Sequence, residues 1–499
     1  MTELHHNSFK DMMNDVVEAG SCCECGSCVL VCPHNVIEYI DGKPKQTAKA
    51  SAAFDYCGIS EGIGCDVCAS VCPRLWPREL HLRDAVFGDR GESYEGVFGT
   101  YRHIFCARTR REDVMARAQD GGIVTALLAW ARESGRIDGA VVSAVGEDDP
   151  PCDPSPKVAV THEEIVASAG SWYTYCPNNL ALEEVESRGL EKVAFVGVPC
   201  QITPLRKMEL IDPAFLLSAK KRPQHIEKQR GYLRGFENRI AFNVGLLCTE
   251  VFTFDLMTEK IEKEMGIPLT EVSKFNVKGD ILVYKKDGEM LTIPLKETME
   301  KYQRPECAHC GDFSAELADI SCGGVGTRGW TIVILRTERG VDVWRAFEEE
   351  GLVETMLIQE NRRAWNILQI LARRQRNRVP LLGPRSGTAN DLPAYDQKAD
   401  ADFAAGRMKD SPKSPEELDA CREAAYGGEP LPGPVAGYMA GQPIPGDPGD
   451  PPPGEKRKLP PPPAPEQGGA PPGKMAPSGE MAPPGEMAPP GGPAPESAA

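Results

Sequence analysis

The sequence lacks any long hydrophobic run and any excess of positive charge. No apolar stretch approaches the roughly 18–20 residues that a membrane-spanning helix needs, and no charged-then-apolar leader opens the chain. The formal net charge of −17 at pH 7 argues against nucleic acid and anionic membrane surfaces as main binding partners. We therefore expect a cytoplasmic protein without nucleic-acid partners. Docking beneath a membrane-bound complex is compatible with these features.

Branched aliphatic residues are almost absent from the last part of the chain. Residues 431–499 hold half of the 44 prolines and the six-residue repeat GKMAPS-GEMAPP-GEMAPP. Such a segment cannot bury enough apolar surface to offset the entropy lost on ordering. We predict a disordered tail rich in Pro, Gly and Met over residues 431–499, preceded by a charged connector over residues 391–430.

Cysteine, in contrast, is abundant, and most of the 18 cysteines are clustered. In a large chain without a leader, clustered thiols favour metal binding over disulfides. The stretch CCECGSCVLVCP contains Cys-x2-Cys-x2-Cys-x3-Cys-Pro, the spacing typical of a bacterial [4Fe–4S] ferredoxin. A second, less regular set follows. Gly62 stands where that pattern expects a cysteine, and Cys57 is the nearest substitute.

These two sets predict a ferredoxin-like domain with two [4Fe–4S] clusters over residues 1–84, called the head below. In such pairs the fourth cysteine of each run ligates the other cluster. Zinc is the alternative, but zinc knuckles use two pairs of cysteines, which this spacing fits poorly. Cys23 remains as a small buried thiol. The predicted ligands are Cys22, Cys25, Cys28 and Cys72 for one cluster, and Cys32, Cys57, Cys65 and Cys68 for the other.

Residues 85–390, called the body below, have the pattern of an α/β domain. Short apolar runs alternate with helical patterns, which indicates a sheet covered by helices on both faces. The apolar runs are residues 103–110, 137–146, 193–200 and 240–248, and the clearest helical pattern is residues 119–135. Residues 272–295 alternate instead, with Asp287-Gly288 as a predicted hairpin turn, so an antiparallel element is attached to the α/β domain.

Four cysteines of the body predict a third [4Fe–4S] cluster. Cys200 and Cys248 each end an apolar run, and the carboxyl ends of strands are where α/β sheets bind ligands. Cys307 and Cys310 form a C-x2-C pair in a chain that already has ferredoxin spacing. Core packing of the two strand-end thiols is the alternative interpretation.

Glycines stand at two places that suit close approach of a cofactor. Gly121-Gly122 opens a predicted helix, where bare backbone favours a phosphate or a flat ring. The stretch GVGTRG at residues 324–329 matches the dinucleotide fingerprint, but a strand rather than a helix follows it. The sequence therefore predicts a glycine loop beside a cofactor and argues against a Rossmann site.

Six ordered motifs resemble the coenzyme F420 hydrogenase/dehydrogenase beta-subunit family. They are RAQDGGIVTALL, SAGSWYTY, VGVPCQI, GLLC, CAHCGD and ELADISCGGVGTRGWTIVILRT. The resemblance covers about residues 85–375. The two-cluster head makes the chain most like the electron-input subunit of methanogen reduced-F420 dehydrogenase. This resemblance implies FAD in the body and coenzyme F420 as substrate. By the same resemblance, the residues in flavin-binding motifs are Gly121, Gly122, Thr125, Gly170, Ser171, Tyr173, Asp319, Gly324 and Gly326.

The function that this resemblance implies is an oxidoreductase of methanogenesis. Reduced F420 gives a hydride to FAD, and single electrons pass through the clusters to a redox partner protein or membrane-bound dehydrogenase complex. No side chain is needed as a general base. The alternatives are the beta subunit of an F420-reducing hydrogenase or F420-linked formate dehydrogenase, a ferredoxin-dependent flavin reductase with another substrate, and a non-catalytic polyferredoxin-like relay.

Overall fold

The computed structural model describes residues 8–46, 57, 65–75, 77–88, 93–210, 223–327 and 329–379. The predicted connector and tail, residues 391–430 and 431–499, lie outside these ranges. Within them, no helix is both long enough and apolar enough to cross a membrane.

The strands and helices alternate along most of the described chain. The strands are β1 (Ile37–Ile40), β2 (Lys43–Gln46), β3 (Tyr94–Gly96), β4 (Gly99–Tyr101), β5 (His103–Thr109), β6 (Gly139–Ala144), β7 (Ser155–Ala159), β8 (Val193–Gly197), β9 (Ile240–Leu246), β10 (Val272–Val277), β11 (Asp280–Lys285), β12 (Met290–Pro294), β13 (Ile320–Gly323), β14 (Thr331–Leu335) and β15 (Val353–Leu357). The α-helices are Phe9–Met12, Ser27–Leu30, Val67–Ser70, Glu79–Phe87, Glu112–Met115, Ile123–Glu133, His162–Ala167, Ala181–Ser187, Pro199–Leu210, Pro223–Glu237, Leu295–Tyr302, Glu338–Glu349 and Arg362–Arg376. Two π-helices, Met13–Glu18 and Leu256–Glu264, and four 3-10 helices, Asn178–Leu180, Leu269–Glu271, Pro305–His309 and Ile358–Glu360, complete the regular elements of the described residues.

An eight-stranded sheet with the order β15-β5-β14-β13-β9-β8-β6-β7 forms the centre of the body. Its four neighbouring strands β13, β9, β8 and β6 run parallel, as expected for short, mostly apolar strands. β14 instead returns antiparallel beside β13, because the loop at residues 324–330 is too short for a crossover connection. The sheet is therefore mixed.

Helices cover both faces of this sheet, which confirms the α/β prediction. On one face, helices Ile123–Glu133 and Glu338–Glu349 bury the aromatic rings of Trp130, Trp344 and Phe347. On the other face, helices Ala181–Ser187 and Pro199–Leu210 share one hydrophobic cluster with Val31, Val67 and Val71 of the head. The head therefore packs directly against the body.

The antiparallel element predicted over residues 272–295 is the three-stranded sheet β10-β11-β12. Asp287-Gly288 forms the turn between β11 and β12, where Gly288 has a φ of 92° and the Asp287 carboxylate accepts a hydrogen bond from the Glu289 amide at 2.9 Å. A second turn, at Gly279 with a φ of 93°, joins β10 to β11. This turn brings Lys278 to the edge of the main sheet.

Asp319 lies directly before β13 and is fully buried among cations. Its carboxylate accepts hydrogen bonds from Arg206 at 2.8 Å, Arg339 at 3.0 Å and the Thr337 hydroxyl at 2.7 Å. Burial opposes ionisation, yet Arg206 and Arg339 hold the pKa of Asp319 at about 2. Because this value lies below the ordinary carboxyl range, the stabilisation is present above about pH 4 and is lost as the pH falls through the folded-state pKa.

We expect Asp319→Ala to lower the free energy of unfolding at pH 7 by about 2–4 kcal/mol, because the buried Arg206 is left with Glu209 alone and the partly exposed Arg339 with Glu237 alone. Thermal unfolding followed by circular dichroism measures the change. Glu300→Ala is the matched control, since its ion pair with Lys296 at 3.8 Å is exposed and should contribute about 0.5 kcal/mol or less. Equal effects of the two substitutions would contradict the buried network.

Candidate functional site

The carboxyl ends of the parallel strands bring three predicted site residues to one edge of the main sheet. Cys200 follows β8 in the first turn of helix Pro199–Leu210, Cys248 follows β9, and Gly324 follows β13 directly. This is the edge at which α/β sheets bind ligands. The C-x2-C pair reaches the same region, because the Cys248 amide donates to the Phe313 carbonyl at 2.8 Å, just beyond that pair.

The four cysteines of the body interact with one another, as the third-cluster prediction requires. Burial raises the pKa of Cys248 well above its ordinary value, and the nearby thiols of Cys307 and Cys310 raise it further. Cys200 is likewise an electrostatic neighbour of Cys310. These four residues are the body group below.

Eight of the nine cysteines of the head fall into two sets of electrostatic neighbours. Burial raises the pKa of Cys28, and Cys22 and Cys72 contribute to the rise, while Cys28 in turn acts on Cys25. Burial also raises the pKa of Cys68, with contributions from three other head thiols, Cys65, Cys32 and Cys57. The first head group is Cys22, Cys25, Cys28 and Cys72, and the second head group is Cys32, Cys57, Cys65 and Cys68.

Cationic side chains surround the first head group. Lys43 donates to the Cys22 carbonyl at 3.2 Å, and Arg74 donates to the Ser21 carbonyl at 3.0 Å. Lys207, from the body, is fully buried and donates to the Cys72 carbonyl and, at 2.7 Å, to the Leu75 carbonyl. Burial lowers the pKa of Lys207 to about 7, although the Cys72 thiol opposes the change. Thiolates with an anionic cluster would be stabilised by these charges and dipoles.

The donor set therefore fits iron–sulfur clusters: three groups of four cysteines, mostly buried, with cations beside the first. In a cubane each cysteine binds a different iron, so four sulfurs need not converge on one point. Among the described residues, no three or more Cys, His, Asp or Glu side chains lie close enough together to hold a single metal ion.

The glycines predicted to approach a cofactor lie beside the same sheet edge. Gly122, with a φ of 67°, caps helix Ile123–Glu133, and the Gly121 carbonyl accepts from the Thr109 amide at the end of β5. A Cβ on Gly121 would lie 2.4 Å from the Ala107 carbonyl, and one on Gly324 would lie 1.8 Å from the Asp120 carboxylate. Neither position has space for a side chain, because other parts of the protein pack closely against both glycines.

Lys278 connects Gly121, Gly122 and Gly324, called the glycine region below, to the three-stranded sheet. Its ammonium group lies 2.7 Å from the Asp120 carboxylate and donates to the carbonyls of Gly324 at 2.8 Å and Thr327 at 3.1 Å. Burial raises the pKa of Asp120, which Lys278 partly offsets. Sequence reasoning missed both residues. Asp120 adjoins the glycine pair, but no spacing in the sequence points to Lys278.

The segment SAGSWYTY approaches both the glycine region and the body group. Gly170, with a φ of 120°, and Tyr173, with a φ of 60°, both adopt backbone conformations that side chains disfavour. The Tyr173 hydroxyl accepts a hydrogen bond from Gln119 at 3.4 Å and is an electrostatic neighbour of Cys248. Thr125, in helix Ile123–Glu133, and Ser171, in SAGSWYTY, are partly exposed. Gly326, with a φ of 66°, lies in the loop after β13.

Asp319 is the exception among the nine residues assigned to flavin-binding motifs. It precedes β13, whereas Gly324 follows it, so about 16 Å of extended chain separates the two at roughly 3.3 Å per residue. The buried ion network described above occupies its carboxylate. We therefore see a structural role for Asp319 in this fold.

Buried polar contacts hold the head against the body group. Arg74 of the head donates to the carbonyls of Glu306, at 3.0 Å, and His309, both in the loop of the C-x2-C pair. Glu24, located between Cys23 and Cys25, pairs with Arg304 of the body at 2.5 Å. The same Arg74 therefore contacts the backbone beside the first head group and beside the body group.

Comparison with known proteins identifies relatives of the body. Two family models match, both describing the beta subunit of coenzyme F420 hydrogenase/dehydrogenase. The model of its N-terminal part covers residues 104–183, and the model of its C-terminal part covers residues 190–361. The beta subunit of coenzyme F420 hydrogenase from Methanosarcina barkeri is 37% identical over 278 residues, which is 55% of this chain and 88% of the relative.

Two further similarities concern larger assemblies. The F subunit of the F420H2 dehydrogenase from Methanosarcina mazei is 30% identical over 335 residues, covering 65% of this chain and 82% of the relative. A chain in a solved structure of the F420-reducing [NiFe] hydrogenase complex from Methanosarcina barkeri is 35% identical, with a TM-score of 0.50, covering 56% of this chain and 91% of that chain.

We expect Arg74→Met to loosen the head from the body, because the carbonyls of Ser21 and Glu306 lose their buried donor and the His309 carbonyl keeps only Arg78. The free energy of unfolding should fall by about 2–4 kcal/mol, with faster proteolysis within the head. Arg74→Lys should recover part of the loss. Arg188→Met, which removes a partly exposed guanidinium paired with Glu184 at 2.9 Å, is the control. An Arg74 variant as stable as this control would contradict the prediction.

Proposed function

Because the chain belongs to the coenzyme F420 hydrogenase/dehydrogenase beta-subunit family, as its motifs predicted, we propose that it is an iron–sulfur flavoprotein that oxidises reduced coenzyme F420. Single electrons leave through the head to a redox partner protein or a membrane-bound dehydrogenase complex. The reaction runs in either direction, according to the partner. FAD supplies hydride acceptance and one-electron release, and [4Fe–4S] clusters supply one-electron relay.

In this proposal the residues of the chain bind, orient and shield the redox groups. Gly121, Gly122 and Gly324 present bare backbone to the flavin, and the Asp120–Lys278 pair fixes the loop that carries Gly324. The body group and the two head groups hold three cubanes. The buried cations Arg74 and Lys207 offset the negative charge of the first head group.

The observation that carries the proposal is a series of electrostatic neighbours from the glycine region to the head. Tyr173 is an electrostatic neighbour of Cys248 of the body group, and Cys200 of that group is one of Cys23. Cys23 in turn acts on Cys25 of the first head group, whose Cys28 is a neighbour of Cys68 of the second. Such a series suits electrons that enter at a flavin and leave from the head.

Of these two relatives, the dehydrogenase subunit has the longer match, and we propose it as the functional analogue. The dehydrogenase subunit matches over 335 residues and the hydrogenase subunit over 278, although the latter is the more similar in sequence at 37% against 30%. The beta subunit of an F420-reducing hydrogenase or F420-linked formate dehydrogenase is the second candidate, and a ferredoxin-dependent flavin reductase is the third.

Stopped-flow mixing of the anaerobically purified chain with reduced F420 tests the function. We expect the flavin absorbance to bleach and an artificial one-electron acceptor to be reduced afterwards. A flavin that stays oxidised with F420 but is reduced through a ferredoxin would favour the third candidate. Purified protein with iron and sulfide but no flavin would overturn the proposal.

We expect Cys310→Ala to separate hydride transfer from electron exit. Loss of one ligand of the body group should remove about four iron atoms per chain and lower dye reduction about tenfold or more, while flavin bleaching by reduced F420 persists. Cys176→Ala is the control, because Cys176 is a buried thiol outside the three groups whose nearest polar partner is Asn178. Full iron content in Cys310→Ala would contradict its assignment as a ligand.

We expect Gly324→Ala to reduce bound FAD severalfold while leaving the iron content unchanged. The added Cβ, 1.8 Å from the Asp120 carboxylate, displaces that side chain and with it the Lys278 contact. Flavin released by heat and measured by fluorescence gives the stoichiometry. Gly231→Ala, on helix Pro223–Glu237 with no heavy atom within 4 Å of its added Cβ, should keep wild-type flavin.

A further inference from the structure

Arg378, which follows helix Arg362–Arg376, joins that helix to the loop that carries Cys248. Its guanidinium donates one hydrogen bond to the Thr249 carbonyl and another to the Glu250 carboxylate, each at 2.8 Å. Thr249 and Glu250 directly follow Cys248 in the chain. A cation and an anion therefore pair beside one predicted ligand of the body group.

The same segment contacts the other loop of the body group. Val379 is buried, and its Cβ lies 3.4 Å from the position that a Cβ on Gly311 would take, directly after Cys310. Arg376 pairs with the Glu316 carboxylate at 2.6 Å. Because these contacts hold the chain on both sides of Arg378, its guanidinium is fixed in place against the Cys248 loop.

Burial distinguishes this ion pair from a surface pair. The side chain of Glu250 is 5% exposed and that of Arg378 is 15% exposed. Charges with so little contact with water act on their neighbours through a low effective dielectric constant. A [4Fe–4S] cluster gains negative charge when it accepts an electron, so a nearby cation favours the reduced cluster and a nearby anion favours the oxidised cluster.

The electrostatics of the Cys248 thiol agree with this geometry. Burial is the main cause of the raised pKa of Cys248, to which Glu250 adds, whereas Arg378 lowers the pKa. The two charges thus act on the sulfur in opposite directions.

We propose that Glu250 and Arg378 are positioning residues that set the reduction potential of the cluster held by the body group, called the body cluster below. Arg378 holds the Cys248 loop in place, and the paired charges largely cancel at the cluster. This inference rests on the proposed function, which supplies the cluster and the electrons. In the step concerned, the body cluster takes one electron from the reduced flavin and gives one to the first head group's cluster, and neither side chain gains or loses a proton.

An EPR-monitored redox titration of the whole chain with dithionite tests the inference, because it needs neither F420 nor bound flavin. The absence of one signal in Cys310→Ala identifies the body cluster. Glu250→Gln removes the anion but keeps an oxygen that accepts from Arg378, so we expect the midpoint potential to rise. Arg378→Met removes the cation, so we expect the potential to fall. Each variant should change the ratio of reduced to oxidised body cluster at a fixed potential about threefold or more.

Further variants separate charge from packing. Arg378→Lys keeps the cation and should lie closer to the wild-type potential than Arg378→Met. In the double variant Glu250→Gln/Arg378→Met, the two opposite shifts should largely cancel. The controls are Glu133→Gln and Arg111→Met, which alter a partly exposed ion pair of 2.8 Å. Glu133 ends helix Ile123–Glu133, about 15 Å along the helix from the glycine region, so neither control should move the potential.

The outcomes separate this inference from the function on which it rests. Unshifted potentials, or shifts of the same sign, in Glu250→Gln and Arg378→Met overturn the inference and leave the proposed function standing. If Arg378→Met fails to retain iron, Glu250→Gln decides: a raised potential supports the inference, and an unchanged or lowered one overturns it. A wild-type chain without any cubane signal overturns both. Opposite shifts without flavin bleaching by reduced F420 support the inference and reject F420 as the electron source.

Discussion

Arg74 makes the contact on which the arrangement of the redox residues depends. Its guanidinium spans from the Ser21 carbonyl, next to the first head group, to the carbonyls of Glu306 and His309 in the loop of the body group. A planar cation with several donors in fixed directions holds three carbonyls at set separations, which a flexible ammonium would not do. In the proposed function, where both groups would hold clusters, this side chain would therefore also set the distance that electrons cross.

The same interface shows why buried charge is tolerated here. Arg74, Arg78 and Lys207 are almost wholly buried, a situation that normally destabilises a fold. Their donors are directed at main-chain carbonyls, and the thiol groups beside them would be anionic with metal bound. These buried cations have all their carbonyl acceptors only when the head and the body are both in place.

The sequence alone predicted the features that follow from local patterns of residues. Apolar runs anticipated the strands and helices of the body, and Asp287-Gly288 anticipated a turn. The assignment of the cysteines to three clusters stays a prediction. Arg74 and Lys278 escaped because their partners are distant in sequence and appear only after folding. Asp319, which a motif assigns to flavin binding, lies in an internal ion network, so that assignment also stays a prediction. The antiparallel return of β14 was missed because strand direction depends on connection length, not on apolarity.

The hydrophobic cluster shared by the two parts bears on how the protein is made. Val31, Val67 and Val71 of the head pack in one cluster with Leu182 and Phe195 of the body. The head has a hydrophobic core of its own, which includes Phe9, Met12 and Leu75, but it buries this second face only against the finished sheet. Synthesis from the amino terminus makes the head first and the surface that covers this face last. In the proposed function, we therefore expect the final packing of the head, and with it cluster insertion, late in maturation.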